Sequence, residues 1–281
     1  MKIIECPRDA MQGLTDFVPT EKKVQYLNQL FKVGFDTVDF GSFVSPKAIP
    51  QMKDTAEVLS QLDIEETYSH LLAIVANKRG AEDALQFEEI DYLGFPLSIS
   101  ETFQQKNTNK SIEEALKEAA EIMNLCVKNN REMVAYISMG FGNPYNEPFS
   151  AELTIKFAEK LQKMGFSVIS LADTVGTATP ALIGEIFNAL IPAFPEVEFG
   201  AHFHSDPKKA YKKIEAAYDA GCMRLDGAIG GMGGCPMAKD ELVGNIPTEQ
   251  IVKLLKDNDE EILLDLKEFM KAIELKKKIF G

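Results

Sequence analysis

The chain has 281 residues, 45% of them hydrophobic, with a formal net charge of −13 and a pI near 4.8. That composition supports a large folded core and argues against a nucleic-acid partner, which would need a basic face. The longest apolar runs fall short of a membrane span. Cys6, Cys126, Cys222 and Cys235 form no Cys-x-x-Cys pair and fit a reducing compartment. The N-terminus has no secretory or transit character, so a cytoplasmic protein without a membrane partner is expected.

Short apolar runs alternate with amphipathic segments along the whole length. Residues 2–6, 37–40, 71–76, 90–95, 133–139, 167–172, 197–202 and 223–228 are the candidate strands, mostly continuous in apolar character, as strands buried on both faces should be. Thr20 is placed to cap a helix carrying Val24, Leu27, Leu30 and Phe31 on one face, and Gly34 to stop it. Ser111 and Glu114 have capping-box spacing. Ser150, Thr179 and Asp206-Pro207 open further helices, and a last one is expected from about 260 to 279. Eight strand–helix repeats without a linker predict an α/β fold. It is a single (β/α)8 TIM barrel over residues 1–281 with an additional C-terminal helical segment. An open doubly wound sheet is the weaker alternative, because Cys6-Pro7-Arg8-Asp9 is not a glycine-rich phosphate turn.

Catalytic groups of such a barrel sit at the C-terminal ends of its strands. Polar residues gather there: Arg8 and Asp9, Asp39, Ser98 and Ser100, Tyr136, Asp173 and Thr174, His202 and His204, and Asp226. The His202-x-His204 pair is the sharpest signal. Alternate residues of a strand share a face, and two imidazoles on one face make half a metal site. Blander readings stand beside this one. Arg8 and Asp9 could form a local salt bridge, Asp173 and Asp206 could be helix caps, and Asp226 could bond backbone within the barrel, the reading favoured for it. Four glycines in the five residues 230–234 read as a mobile loop over the mouth, with Cys235 as its accessible thiol. Cys126 and Cys222 are expected in the core.

Taken together the segments resemble the 3-hydroxy-3-methylglutaryl-CoA lyases, members of the metal-dependent lyase/aldolase barrels. The resemblance rests on Arg8-Asp9-Ala10-Met11-Gln12, the run from Gly41 to Met52, Asp173-Thr174-Val175-Gly176, His202-x-His204, Gly233-Gly234-Cys235-Pro236 and Gly244-Asn245, in that order. It implies cleavage of an acyl-CoA substrate to acetyl-CoA and acetoacetate, and Mg²⁺ or Mn²⁺ bound by Asp9, His202, His204 and Asn245. It also implies Arg8 as a catalytic cation, Cys235 as a loop thiol, and Asp39 where the family has glutamate. Asp39, Asp173 and a metal-bound hydroxide are the candidate bases. Gln12, Ser42, Ser98 and Tyr136 are expected to contact substrate, and a homodimer is the default assembly. A related aldolase or condensing synthase on the same metal site is the alternative function. Val134 and Asn143 depart from the arginine and cysteine of many relatives.

Overall fold

The eight apolar runs become strands that pair in parallel, each with its successor, and the eighth returns to the first. They are β1 (Lys2–Glu5), β2 (Thr37–Ser42), β3 (His70–Ile74), β4 (Tyr92–Ser98), β5 (Glu132–Ser138), β6 (Val168–Asp173), β7 (Glu198–Ser205) and β8 (Arg224–Gly227). The result is a closed (β/α)8 barrel, as the alternation predicts. The computed structural model describes residues 1–65, 67–234 and 243–281.

A short ninth strand, β9 (Gly244–Asn245), lies antiparallel to the end of β7, with Asn245 opposite His204 and Gly244 opposite Ser205. This pairing carries β7 three residues past its expected end, so both histidines lie within the strand. In β2 the register shifts between Asp39 and Gly41, a bulge beside the mouth.

The helices are α1 (Pro7–Gln12), α2 (Thr20–Phe31), α3 (Thr55–Leu59), α4 (Lys78–Ala84), α5 (Glu101–Thr108), α6 (Ile112–Lys128), α7 (Ala151–Lys163), α8 (Pro180–Ala193), α9 (Pro207–Asp219), α10 (Thr248–Asp257) and α11 (Leu266–Phe280). The expected caps form: Ser111 and Glu114 close a capping box on α6, and the side chains of Ser150, Thr179 and Asp206 accept from the first turns of α7, α8 and α9. Thr20 does not cap α2. It is the first helical residue, and its hydroxyl donates to Asp54 at 2.8 Å. The tail helix starts later than expected because Asp265 accepts from the backbone of Lys267 and Glu268 and so sets its N-terminus. It packs on α2 and the barrel through Phe280 against Tyr26 and Phe269 against Phe35.

The main apolar core lies between strands and helices and includes Cys126 and Cys222. A smaller plug of Leu72, Ile74, Val134, Tyr136 and Val168 fills the lumen beneath the mouth. Among the described residues no helix is long and apolar enough to cross a membrane.

Candidate active site and metal centre

The site is built first by β1 and α1. Pro7 opens α1 directly after the strand, which buries Arg8 and Asp9 in the first turn, facing the mouth. Arg8 spans two carboxylates. Its Nε and Nη2 donate to Asp39 at 3.0 and 2.6 Å, and its Nη1 donates to Asp9 and to Gln12, both at 2.9 Å. Gln12 Nε2 donates to the same Asp9 oxygen at 2.7 Å, and Asn245 Nδ2 donates to the other at 2.8 Å. The sequence reading of Arg8 and Asp9 as a salt bridge therefore holds, within a wider network.

β7 supplies the imidazoles. The rings of His202 and His204 lie 5.2 Å apart, nearly perpendicular, and both are buried. Ligand atoms of Asp9, His202 and His204 all come within 4.8 Å of one another. His204 Nδ1 is buried and makes no hydrogen bond among the described residues. Tyr136 stands edge-on to His202 at 5.5 Å, and its buried hydroxyl likewise has no partner among the described residues.

Burial and charge divide these groups. Burial alone would raise Asp9, but the Arg8 guanidinium and both imidazoles hold its carboxyl well below the usual range. Asp39 goes the other way: burial pushes it up to about 6 despite Arg8. Burial holds His204 down at about 4, so its imidazole is neutral at pH 7 and able to act as a ligand. His202 is raised, because the hydrogen bond and charge of Asp226 and the charge of Asp9 outweigh its burial.

The donor set fits a divalent cation. One ionised carboxylate and two imidazoles converge, one with a free buried nitrogen, as a mixed oxygen and nitrogen site requires. Asn245 completes the ring with its Nδ2 towards Asp9 and the Met232 carbonyl. Serving as an oxygen ligand would take a half-turn of that amide.

Above these groups opens a cavity of about 340 Å³. Arg8, Asp9, Gln12, Tyr136, His202 and His204 form its polar wall, and Val44, Ile49, Ile74, Pro96 and Phe103 form much of the apolar one. Ser138, Thr174 and Lys106 also line it. Ser138 follows Tyr136 by two residues on β5, a spacing that marks it for the same face.

The structure does not bring Asp39, Ser42, Ser98 or Asp173 to the lining of this cavity. Ser42 donates to the Ile74 carbonyl and Ser98 to that of Ser138, so both tie neighbouring strand ends together. Asp173 lies opposite Phe203, and Ala172 opposite His202. Since His202 faces the lumen, Asp173 faces out, where it pairs with buried Lys213 at 2.6 Å and accepts from the backbone of Thr177 and Ala178. Asp226 corrects the backbone reading: it lies opposite His202 and bonds the ring through Nδ1 at 3.0 Å. Cys235 lies outside the described residues.

A buried carboxylate and two imidazoles converging at the C-terminal mouth define the molecule as a (β/α)8 barrel with a candidate metal site where barrel enzymes carry their catalytic groups. The comparisons narrow this. The chain belongs to the HMGL-like family, whose model matches residues 2–275. It is 36% identical over 266 residues to the hydroxymethylglutaryl-CoA lyase YngG of Bacillus subtilis, covering 95% of this chain and 88% of that one. It is 33% identical to the mitochondrial hydroxymethylglutaryl-CoA lyase of Mus musculus, covering 91% and 78%. Among solved structures, an HMG-CoA lyase from Acinetobacter baumannii in complex with coenzyme A and 3-methylmalate superposes with a TM-score of 0.92 at 30% identity, covering 99% of this chain and 90% of that one.

Proposed function

We propose that this chain is a carbon–carbon lyase that cleaves 3-hydroxy-3-methylglutaryl-CoA to acetyl-CoA and acetoacetate. The observation that carries the reading is the buried Asp9, His202 and His204 cluster with Arg8 beside it, in a chain related over nearly its whole length to named lyases of that reaction. Mg²⁺ or Mn²⁺ held by Asp9, His202, His204 and Asn245 would supply Lewis-acid stabilisation of the substrate's oxygens.

The chain's own groups account for the rest. Cleavage puts negative charge on the thioester fragment as its enolate. Arg8 is a permanent cation at the cavity wall, so it can balance that charge without moving a proton. Asp39 aims it: two guanidinium nitrogens are fixed on one carboxylate, which leaves the Nη1 edge towards Asp9 and the cavity. Of the two candidate carboxylate bases, Asp39 is held by Arg8 through both carboxylate oxygens and Asp173 is engaged by Lys213, and neither lines the cavity, so neither is free to take a proton as arranged. Gln12 and Tyr136 present hydrogen-bonding groups to the bound acyl chain, and the apolar wall excludes water from it. Cys235 is proposed as the thiol that returns a proton to the carbanion.

An acyl-CoA substrate is supported by the coenzyme A complex of the Acinetobacter baumannii relative. Free Cys6, Cys126 and Cys222 support a reducing, cytoplasmic setting for one catalytic domain of residues 1–281, proposed to work as a homodimer. The test is acetoacetate release from 3-hydroxy-3-methylglutaryl-CoA by purified protein with Mg²⁺ or Mn²⁺, abolished by chelation. Protein that binds Mn²⁺ but releases no acetoacetate would overturn the reading.

A further inference from the structure

We infer that Asp226 is a positioning residue for the metal centre, setting the orientation and proton placement of His202 from inside the barrel. This rests on the metal-dependent reading of the site. Asp226 and His202 are register partners on adjacent strands, both facing the lumen. The Asp226 side chain is 1% exposed, and a carboxylate that deep is costly unless it serves a partner. It bonds no backbone group among the described residues: Oδ2 meets His202 Nδ1 at 3.0 Å, and Oδ1 has no partner.

The contact decides which nitrogen of His202 does what. An ionised Asp226 can only accept, so Nδ1 carries the proton and donates it. Nε2 is then the free lone pair, left for the side where Asp9 and His204 gather. A carboxylate behind a ligating imidazole fixes the ring and raises its basicity. Below Asp226 in the lumen lies Arg224, fully buried, with Nη1 on Glu198 at 3.1 Å and with no hydrogen bond from Nε or Nη2 among the described residues. A competing arrangement shares the same atoms, because Cys6, His202 and Asp226 could themselves hold an ion. The Nδ1 bond to Asp226 commits that edge of the ring, so the geometry favours positioning over a second metal.

The test measures Mn²⁺ affinity in wild type, Asp226→Asn and Asp226→Ala, with circular dichroism confirming the fold. Asp226→Asn keeps the shape of the side chain should the alanine variant fail to fold. Affinity is expected to fall about 10-fold in Asp226→Asn and up to about 100-fold in Asp226→Ala. Long-range ¹H–¹⁵N spectra of the Mg²⁺-loaded protein supply a second readout. With three histidines in the chain the signals are assignable, and His202 should be protonated at Nδ1 in wild type but show mixed tautomers in Asp226→Ala. Equal Mn²⁺ affinity and unchanged tautomers in folded variants would overturn the role of Asp226 alone. Wild-type protein that takes up no Mn²⁺ would overturn the metal reading as well. A thiolate-to-metal absorption band on adding Co²⁺, lost in Cys6→Ser, would overturn the role by showing an ion seated on Cys6.

Discussion

Arg8 is the residue on which charge and geometry meet. Its fork fits two carboxylates at once, which a lysine ammonium on a flexible stem does not reproduce. Arg8→Lys should keep the charge and lose the alignment, lowering kcat by about 100-fold or more, the scale of losing one well-aimed stabilising group. Steady-state kinetics on folded variant protein check this, and a kcat within a few-fold of wild type would remove Arg8 from charge stabilisation. At this scale the sequence was legible wherever a motif fixed both residue type and neighbour, as at Arg8, Asp9 and the two histidines. It was not legible for Asp173 and Asp226. Both are aspartates near strand ends, and only the register against β7 decides that Asp226 faces the lumen and Asp173 the outer helices. A one-residue difference in register reverses such an assignment, and register is not written in local composition.

At the scale of elements, the segment after β8 is held at both flanks by β1. Glu5, at the end of β1, accepts from the backbone of Ile229 at 2.8 Å and from Thr248 Oγ1 at 2.6 Å, on either side of the glycine-rich stretch and β9. Burial pushes the Glu5 carboxyl up to about 8 from an ordinary 4.5. Between those values the folded chain retains a proton that the unfolded chain has lost. This contribution is therefore fully present below about pH 4.5 and is lost as pH rises through about 8, by a few kcal/mol. Glu5→Gln keeps the shape without the ionisation. Its thermal midpoint should match wild type near pH 4.5 and rise above it progressively towards pH 8; a constant difference across that range would count against a protonated Glu5. Gly233 makes a related point about close approach. Its φ is +92°, and a Cβ there would stand 2.7 Å from both the Asp9 carbonyl oxygen and Asn245 Nδ2. Gly233→Ala should displace the backbone beside two proposed ligands and weaken Mn²⁺ binding at least several-fold, measurable by calorimetry. The strands were legible because parallel strands buried on both faces are continuous apolar runs. The extension of β7 to Ser205 was not, since it depends on two residues of β9 forty positions away in the chain.

For the whole molecule, the barrel places its ligands on widely separated parts of one chain. Asp9 follows β1, His202 and His204 belong to β7, and Asn245 lies on β9 beyond β8. An ion bound across them joins the first turn of the chain to its last strands, and it binds only when the barrel is closed. The unfolded chain lacks that arrangement, so binding adds to stability by mass action. At a free Mn²⁺ concentration one hundred times the dissociation constant the gain is about 2.7 kcal/mol, which for a chain of this size raises the thermal midpoint by roughly 5 °C. Chelation should reverse the shift, and His202→Ala and His204→Ala should each lose most of it. Without metal the midpoint of His204→Ala should stay close to that of wild type, because the substitution removes a ligand from the cavity wall and leaves the main core between strands and helices intact, whereas that of His202→Ala should start lower, because it leaves the buried Asp226 carboxylate without its partner. Differential scanning calorimetry with and without Mn²⁺ separates the cases: a full shift retained in both histidine variants would place the ion elsewhere on the molecule, and a shift lost in either one ties the stability of the barrel to the same residues that are proposed to hold the metal for carbon–carbon cleavage.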